Sequence, residues 1–225
     1  KVDLSTMSPL LSNQKNDGRE VMSLYILSKV SLQKGTRRTV LLGVSHVADP
    51  EFYRQVQREI DQADMVGMQV AYEGIAAGTR PTDSAGQKAY DLFVRYLELP
   101  YKTADQTHLA EQGEHVRYPA SALCVDVDLG QMAQMYVEQK LPLNMTPEQM
   151  RLLMRDLDST NPLSRALRRI IIHWRDLYVA AFVESGTERD TLVVYGEAHI
   201  LGICDVLQAA GWGNRQYEPF GLTLT

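Results

Sequence analysis

The sequence predicts an α/β protein, a single domain with a mostly parallel central sheet flanked by helices. Segments with the hydrophobic pattern of strands alternate along the chain with segments of helical periodicity, as parallel strands joined by crossover helices require. The chain has 225 residues, of which 44% are hydrophobic and 23% are charged. These proportions are typical of a globular protein, and a chain of this length can form a core without disulfide bonds.

Five segments are predicted to be strands. The first partly alternates between apolar and polar residues, whereas residues 39–43 form the apolar run Thr-Val-Leu-Leu-Gly, which is typical of a buried strand. Residues 122–127 form a further short apolar run that Asp126 interrupts. Strands are predicted over residues 25–32, 39–43, 64–72, 191–195 and 216–224.

The predicted helices begin at recognisable caps. Asp49 followed by Pro50 is the signal of an N-cap with proline at the first helical position. Asp128 is expected to cap a helix in the same way, and this role is favoured over a contact that supports the site. Helices are predicted over residues 50–63, 84–99, 129–139, 162–184 and 200–210, with another that begins at residues 146–148.

Composition and charge exclude several classes of protein. The net charge is −5, and no run of Lys and Arg exceeds two residues, so we expect no nucleic-acid partner. No apolar stretch has the roughly 18–20 residues of a membrane span, so no transmembrane segment is expected in this chain. Cys124 and Cys204 are too few for a disulfide scaffold or a cysteine zinc site.

Residues 1–20 are rich in Ser, Asn, Lys and Asp, and we expect a flexible lead-in there, followed by one domain over residues 21–225. The chain begins at Lys1 instead of methionine, which predicts that a preceding segment was removed. Export, membrane association through that segment and a cytoplasmic location are all compatible with this sequence.

The most informative feature is a motif that occurs twice, each time between a buried strand and a helix. Gly43 to His46 and Gly196 to His199 both read Gly-x-x-His, and a third strand leads directly into Glu73. Two imidazoles and a carboxylate at strand ends can bind a divalent cation or position a water for general-base catalysis. The alternative is that each histidine is a structural residue, because spacing does not prove that the three strands are neighbours.

This pattern resembles the TraB/PrgY/GumN family and its animal relative Tiki. The hallmarks of the family are two Gly-x-x-His motifs and a glutamate after the strand and helix that follow the first motif. Residues 45–50, 63–66, 124–129 and 175–176 also look like the corresponding segments of bacterial members. The resemblance covers about residues 37–213.

The resemblance implies an α/β fold shared with erythromycin-esterase-like and ChaN-like proteins. It implies a metal-dependent hydrolase, a peptidase acting on peptide or protein substrates. His46, Glu73 and His199 would be ligands of a divalent metal ion (manganese, cobalt or zinc) or catalytic groups, and Glu73 would be either a ligand or the general base. Arg175 would hold a carboxylate or stabilise an oxyanion.

This sequence departs from the family pattern at three positions. Glu197 stands where small residues are common, and it could join the site or tune its pKa. Leu201 replaces a frequent proline, and Asp176 replaces a frequent asparagine.

Two other functions are consistent with the sequence. The first is a non-catalytic protein that binds and sequesters a peptide signal, which would show saturable binding without a product. The second is a metal-free His/Glu esterase, whose activity would survive chelators. No Gly-rich phosphate loop, His-Glu-x-x-His helix or Gly-x-Ser-x-Gly elbow occurs, which argues against the usual nucleotide hydrolases, zincins and serine hydrolases.

Overall fold

The structure is a computed structural model that describes residues 27–103, 110–155, 160–185 and 188–220. Its strands are β1 Leu27–Lys34, β2 Arg37–Val44, β3 Val47–Ala48, β4 Gln69–Tyr72, β5 Ala110–Glu111, β6 Leu123–Cys124, β7 Thr191–Gly196 and β8 Gly213–Phe220. Its helices are α1 Pro50–Met65, α2 Ser84–Thr103, α3 Gln112–His115, α4 Leu129–Glu138, α5 Pro147–Arg155, α6 Pro162–Arg168, α7 Trp174–Ser185 and α8 Glu197–Ala209. A π-helical turn, Arg169–His173, joins α6 to α7.

Six strands form the central sheet in the order β6-β4-β7-β2-β1-β8. The four strands from β6 to β2 are parallel, and β1 and β8 extend the sheet in antiparallel pairs. The short strands β3 and β5 pair with each other outside this sheet. The prediction of an α/β fold with a mostly parallel sheet flanked by helices is therefore confirmed.

The buried residues lie on both faces of the sheet. On one face, strand residues such as Val193 and Tyr195 pack against α7 and α8. On the other face, the alternate residues Leu192 and Val194 pack against α1. A third cluster joins α2, α4 and α5 to α6 and the π-helical turn. Within the described ranges, the structure contains no helix that is both long enough and apolar enough to cross a bilayer.

Several predicted boundaries are wrong by a few residues. The strand predicted from residue 64 begins only at Gln69, because α1 continues to Met65 and is closed by Gly67, which follows the C-cap and has a φ of +77°. The helix predicted from residue 200 begins at Glu197, directly after β7. The predicted caps Asp49 and Asp128 are confirmed, since each carboxylate accepts a backbone N–H of the helix that it caps.

Several predictions fall outside the described residues. The lead-in over residues 1–20, the start of the first predicted strand at residue 25 and the last residues of the terminal strand, 221–224, all lie there. Within the described part, β8 begins at Gly213, three residues before the predicted start.

The two Gly-x-x-His motifs are interlocked through Gly43 and Glu197. The Glu197 carboxylate accepts hydrogen bonds from the Ser28 backbone N–H at 2.8 Å and from Ser28 Oγ at 2.6 Å. A Cβ atom at Gly43 would lie only 1.8 Å from Glu197 Oε2. Gly43 therefore provides the space in which Glu197 attaches the start of α8 to β1.

We expect the substitution Gly43→Ala to destabilise the protein, because its methyl group overlaps the Glu197 carboxylate. Overpacking of this kind lowers the free energy of unfolding by about 1–3 kcal/mol, which urea denaturation would measure. Gly213→Ala is the control, because no atom of the described residues lies within 4 Å of a Cβ atom at that position. The explanation fails if Gly43→Ala lowers the free energy of unfolding by the same amount in a Glu197→Ala background as in the wild type.

Candidate active site

The sheet order brings the predicted site residues to one edge of the molecule. Strand β7 lies between β4 and β2, so the carboxyl ends of all three strands are neighbours. Glu73 directly follows β4, His46 follows β2 and His199 follows β7. Ligand sites of parallel sheets lie beyond the carboxyl ends of the strands, which is the edge where these three residues meet.

His46 is the accessible member of the site. Its side chain is 49% exposed, and its Nε2 atom lies 3.9 Å from Glu73 Oε1. The Gln112 backbone N–H donates to the His46 carbonyl oxygen at 3.1 Å and continues the pairing of β3 with β5. The loop that carries His46 is therefore held by its backbone, while the imidazole stays open to solvent.

Glu73 is held at both oxygens. Its Oε1 atom accepts from Arg175 Nη2 at 2.5 Å, and its Oε2 atom accepts from the Gly196 N–H at 2.6 Å. The side chain is only 9% exposed. Burial alone would raise the pKa of Glu73, but the neighbouring positive charge, chiefly that of Arg175, lowers it to about 2. Glu73 is therefore a carboxylate at neutral pH.

Arg175 is buried at the centre of the site, with all of its hydrogen-bond donors directed at protein atoms. Its guanidinium binds both oxygens of Asp126, at 2.8 and 2.6 Å, in addition to Glu73. Its Nη1 atom lies 3.2 Å from His199 Nε2 and donates to the Ile171 carbonyl oxygen at 3.4 Å. A guanidinium has five N–H groups, and these contacts use all five. Of the two predicted roles, the arrangement agrees with holding carboxylates.

His199 is buried in the first turn of α8 and uses both ring nitrogens. Its Nδ1 atom lies 2.6 Å from Asp176 Oδ1. Because Arg175 can only donate, Nε2 is the acceptor and Nδ1 carries the proton that is donated to Asp176. A Cβ atom at Gly202 would lie 2.0 Å from Asp176 Oδ2, so this glycine makes room for the pair.

The side chains do not fit the divalent ion that the resemblance implies. Neither nitrogen of His199 has a free lone pair for a ligand bond, and the Arg175 cation lies against Glu73. Of the two motif histidines, His46 is the one whose imidazole faces solvent. Among the residues that the structure describes, no group of three or more His, Cys, Asp or Glu side chains is arranged to hold a metal ion.

Sequence reasoning missed the contacts that Asp176 and Glu197 make. In the sequence, Asp176 stands out only as a departure from the family pattern. Gly202 in the next helix leaves room for the Asp176 carboxylate and is the one sequence signal of its position. The expectation that Glu197 could join the site is wrong, because its carboxylate binds Ser28 on β1. Asp126, which in the sequence only interrupts an apolar run, binds Arg175 with both oxygens.

Comparisons of this chain with protein-family profiles, with curated proteins and with solved structures find no match. The membership of the TraB/PrgY/GumN family that the motifs suggest therefore stays a prediction.

The substitution Glu73→Gln should change how stability depends on pH. Because the folded-state pKa is about 2 instead of the ordinary 4.5, the carboxylate stabilises the fold above about pH 4.5, and this contribution is lost as the pH falls towards 2. Between about pH 5 and pH 2, the free energy of unfolding of the wild type should fall by about 3 kcal/mol more than that of Glu73→Gln.

Urea denaturation at a series of pH values measures this difference. Glu114→Gln, at an exposed position of α3, should keep the pH dependence of the wild type. Equal acid sensitivity of the wild type and Glu73→Gln would contradict the interpretation.

Proposed function

We propose that this chain is a hydrolase of the TraB/PrgY/GumN type in which His46 and Glu73 together activate a water molecule. The observation that carries the proposal is the 3.9 Å separation of His46 Nε2 and Glu73 Oε1. This distance exceeds a hydrogen bond, but one water oxygen can lie about 2.8 Å from both atoms. His46 faces solvent and Glu73 is ionised, so the pair combines an accessible base with a fixed negative charge.

In the proposed reaction, the water donates one hydrogen bond to Glu73 and gives a proton to His46 Nε2. Its oxygen attacks the carbonyl carbon of the substrate, and the carbonyl oxygen becomes an oxyanion. When the tetrahedral intermediate collapses, the carbonyl bond to the leaving nitrogen or oxygen breaks, and His46 returns the proton to that atom. Ionised Glu73 stabilises the imidazolium that forms between these steps.

The start of α8 is the proposed binding position for the oxyanion. Its N-cap residue Gly196 has no side-chain capping bond, and the Gly196 N–H already contacts Glu73. The amino end of a helix carries a partial positive charge and unpaired N–H groups. Such groups stabilise an oxyanion where it develops, and Arg175 has no remaining donor for this task.

The proposed substrates are peptides or proteins, the class that the resemblance implies, and simple esters offer the same reactive carbonyl. The arrangement of donors supports a site that works without a metal ion, the alternative represented by the erythromycin-esterase-like proteins. The metal dependence that the resemblance implies stays a prediction. Hydrolysis that persists in EDTA would support the metal-free form, and loss of hydrolysis in EDTA would contradict it.

Alanine at His46 should reduce kcat/KM by at least about 100-fold, because general-base catalysis contributes a factor of about 10² to 10⁴. The assay would use internally quenched peptide mixtures and 4-nitrophenyl butyrate. The fold should be unaffected, since the His46 side chain is half exposed.

His173→Ala is the matched control, because His173 is an exposed histidine on the π-helical turn. Full activity in His46→Ala would contradict the mechanism. Saturable binding of peptides without any product would instead support the non-catalytic peptide-binding alternative.

A further inference from the structure

The Arg175 guanidinium lies at the centre of the site, surrounded by side chains that accept its hydrogen bonds. Two carboxylates, Glu73 and Asp126, both accept from the same Nη2 atom, at 2.5 and 2.6 Å. The lone pair of His199 Nε2 faces Nη1 at 3.2 Å. Both carboxylates and the arginine have side chains that are at most 9% exposed. The three acceptors around this cation are the side-chain types that bind divalent ions.

The contact of His199 with Asp176 also resembles the surroundings of a metal-bound histidine. Metal-bound histidines commonly donate the other ring N–H to a carboxylate, which fixes the direction of the metal-facing lone pair. Here Asp176 accepts from His199 Nδ1 at 2.6 Å and directs Nε2 towards Arg175. The imidazole is therefore oriented as in a metal site, but the positive charge that it faces belongs to the chain.

We propose that Arg175 is the built-in cation of this site and takes the place of the divalent ion that the motifs suggest. A guanidinium remains charged throughout the working pH range and uses its N–H groups to hold Glu73 in the orientation needed beside His46. Arg175 and His199 are then positioning residues. This inference goes beyond the proposed hydrolase, because it concerns the charge balance of the site and holds whether or not a substrate is found.

If Arg175 occupies the position of a metal ion, its removal should open a site for one. Removal of the guanidinium would leave Glu73 Oε1, Asp126 Oδ2 and His199 Nε2 around one vacated space. Both oxygens already lie within about half an ångström of a zinc–oxygen bond length from the Nη2 position. The variant Arg175→Ala should therefore gain a site for a divalent metal ion that the wild type lacks.

The experiment measures metal binding to the full chain. Wild type and Arg175→Ala are stripped with EDTA, dialysed and titrated with Zn²⁺ or Co²⁺, with mass spectrometry for stoichiometry and visible absorption for Co²⁺ coordination. Arg175→Ala should bind about one ion per chain, and the wild type less than about a tenth as much. Adding Glu73→Gln to Arg175→Ala should weaken this binding by at least about tenfold, because it removes a charged ligand.

Arg37→Ala is the matched control. Arg37 also contacts α7, but it donates to the Val183 and Glu184 carbonyl oxygens and packs over Trp212, away from the carboxylates of the site. The Arg37→Ala variant should bind no more metal than the wild type.

Two results would overturn the inference. The first is stoichiometric metal in the wild type that disappears in His46→Ala and His199→Ala, and the second is a folded Arg175→Ala variant that binds no metal. If circular dichroism shows that Arg175→Ala does not fold, the wild-type titration still decides between a built-in cation and a bound one. Since none of these readouts uses catalysis, an absence of hydrolysis would count against the proposed function alone.

Discussion

The ion pair between Arg175 and Glu73 is the interaction on which the rest of the site depends. Glu73 is almost fully buried, and an isolated carboxylate at such a depth would take up a proton. The guanidinium keeps it ionised and also binds Asp126 and His199. Buried charges are tolerated when their hydrogen-bonding groups are satisfied, and the five N–H groups of Arg175 meet this condition. One side chain on α7 thus fixes groups from α8 and from the segments that follow β4 and β6.

The glycines of the two motifs, together with Gly202 in α8, leave space for carboxylates. A Cβ atom at Gly196 would lie 2.9 Å from Glu73 Oε2, and one at Gly202 would meet Asp176. The absence of a side chain at Gly43 leaves room for the Glu197 carboxylate in the same way. The spacing of glycines in both motifs therefore reflects which acidic side chain must approach the backbone. This explains why glycine recurs at these positions, although none of the three has a positive φ.

The sequence was sufficient to predict the parts of the fold that depend on short-range signals. Asp49 and Pro50 place the start of α1, and the apolar run of β7 identifies a buried strand. The meeting of His46 with Glu73 could be expected from the rule on strand ends. The burial of His199 could not be predicted, because it depends on how α7 packs against α8. That packing comes after a π-helical turn, which changes the register of the helix before Arg175 and leaves no periodic signal in the sequence.

The two histidines of the repeated motif are chemically different because the chain leaves β2 and β7 in different ways. After β2, the chain leaves the sheet as a loop, so His46 is exposed and retains a nitrogen for water. After β7, α8 begins at once, so His199 turns inward to Asp176 and Arg175. A motif that looks symmetric in the sequence therefore yields one exposed imidazole and one buried imidazole whose two nitrogens both contact other side chains. If the site catalyses hydrolysis, the base must come from the first copy, because the second has no lone pair left to accept a proton.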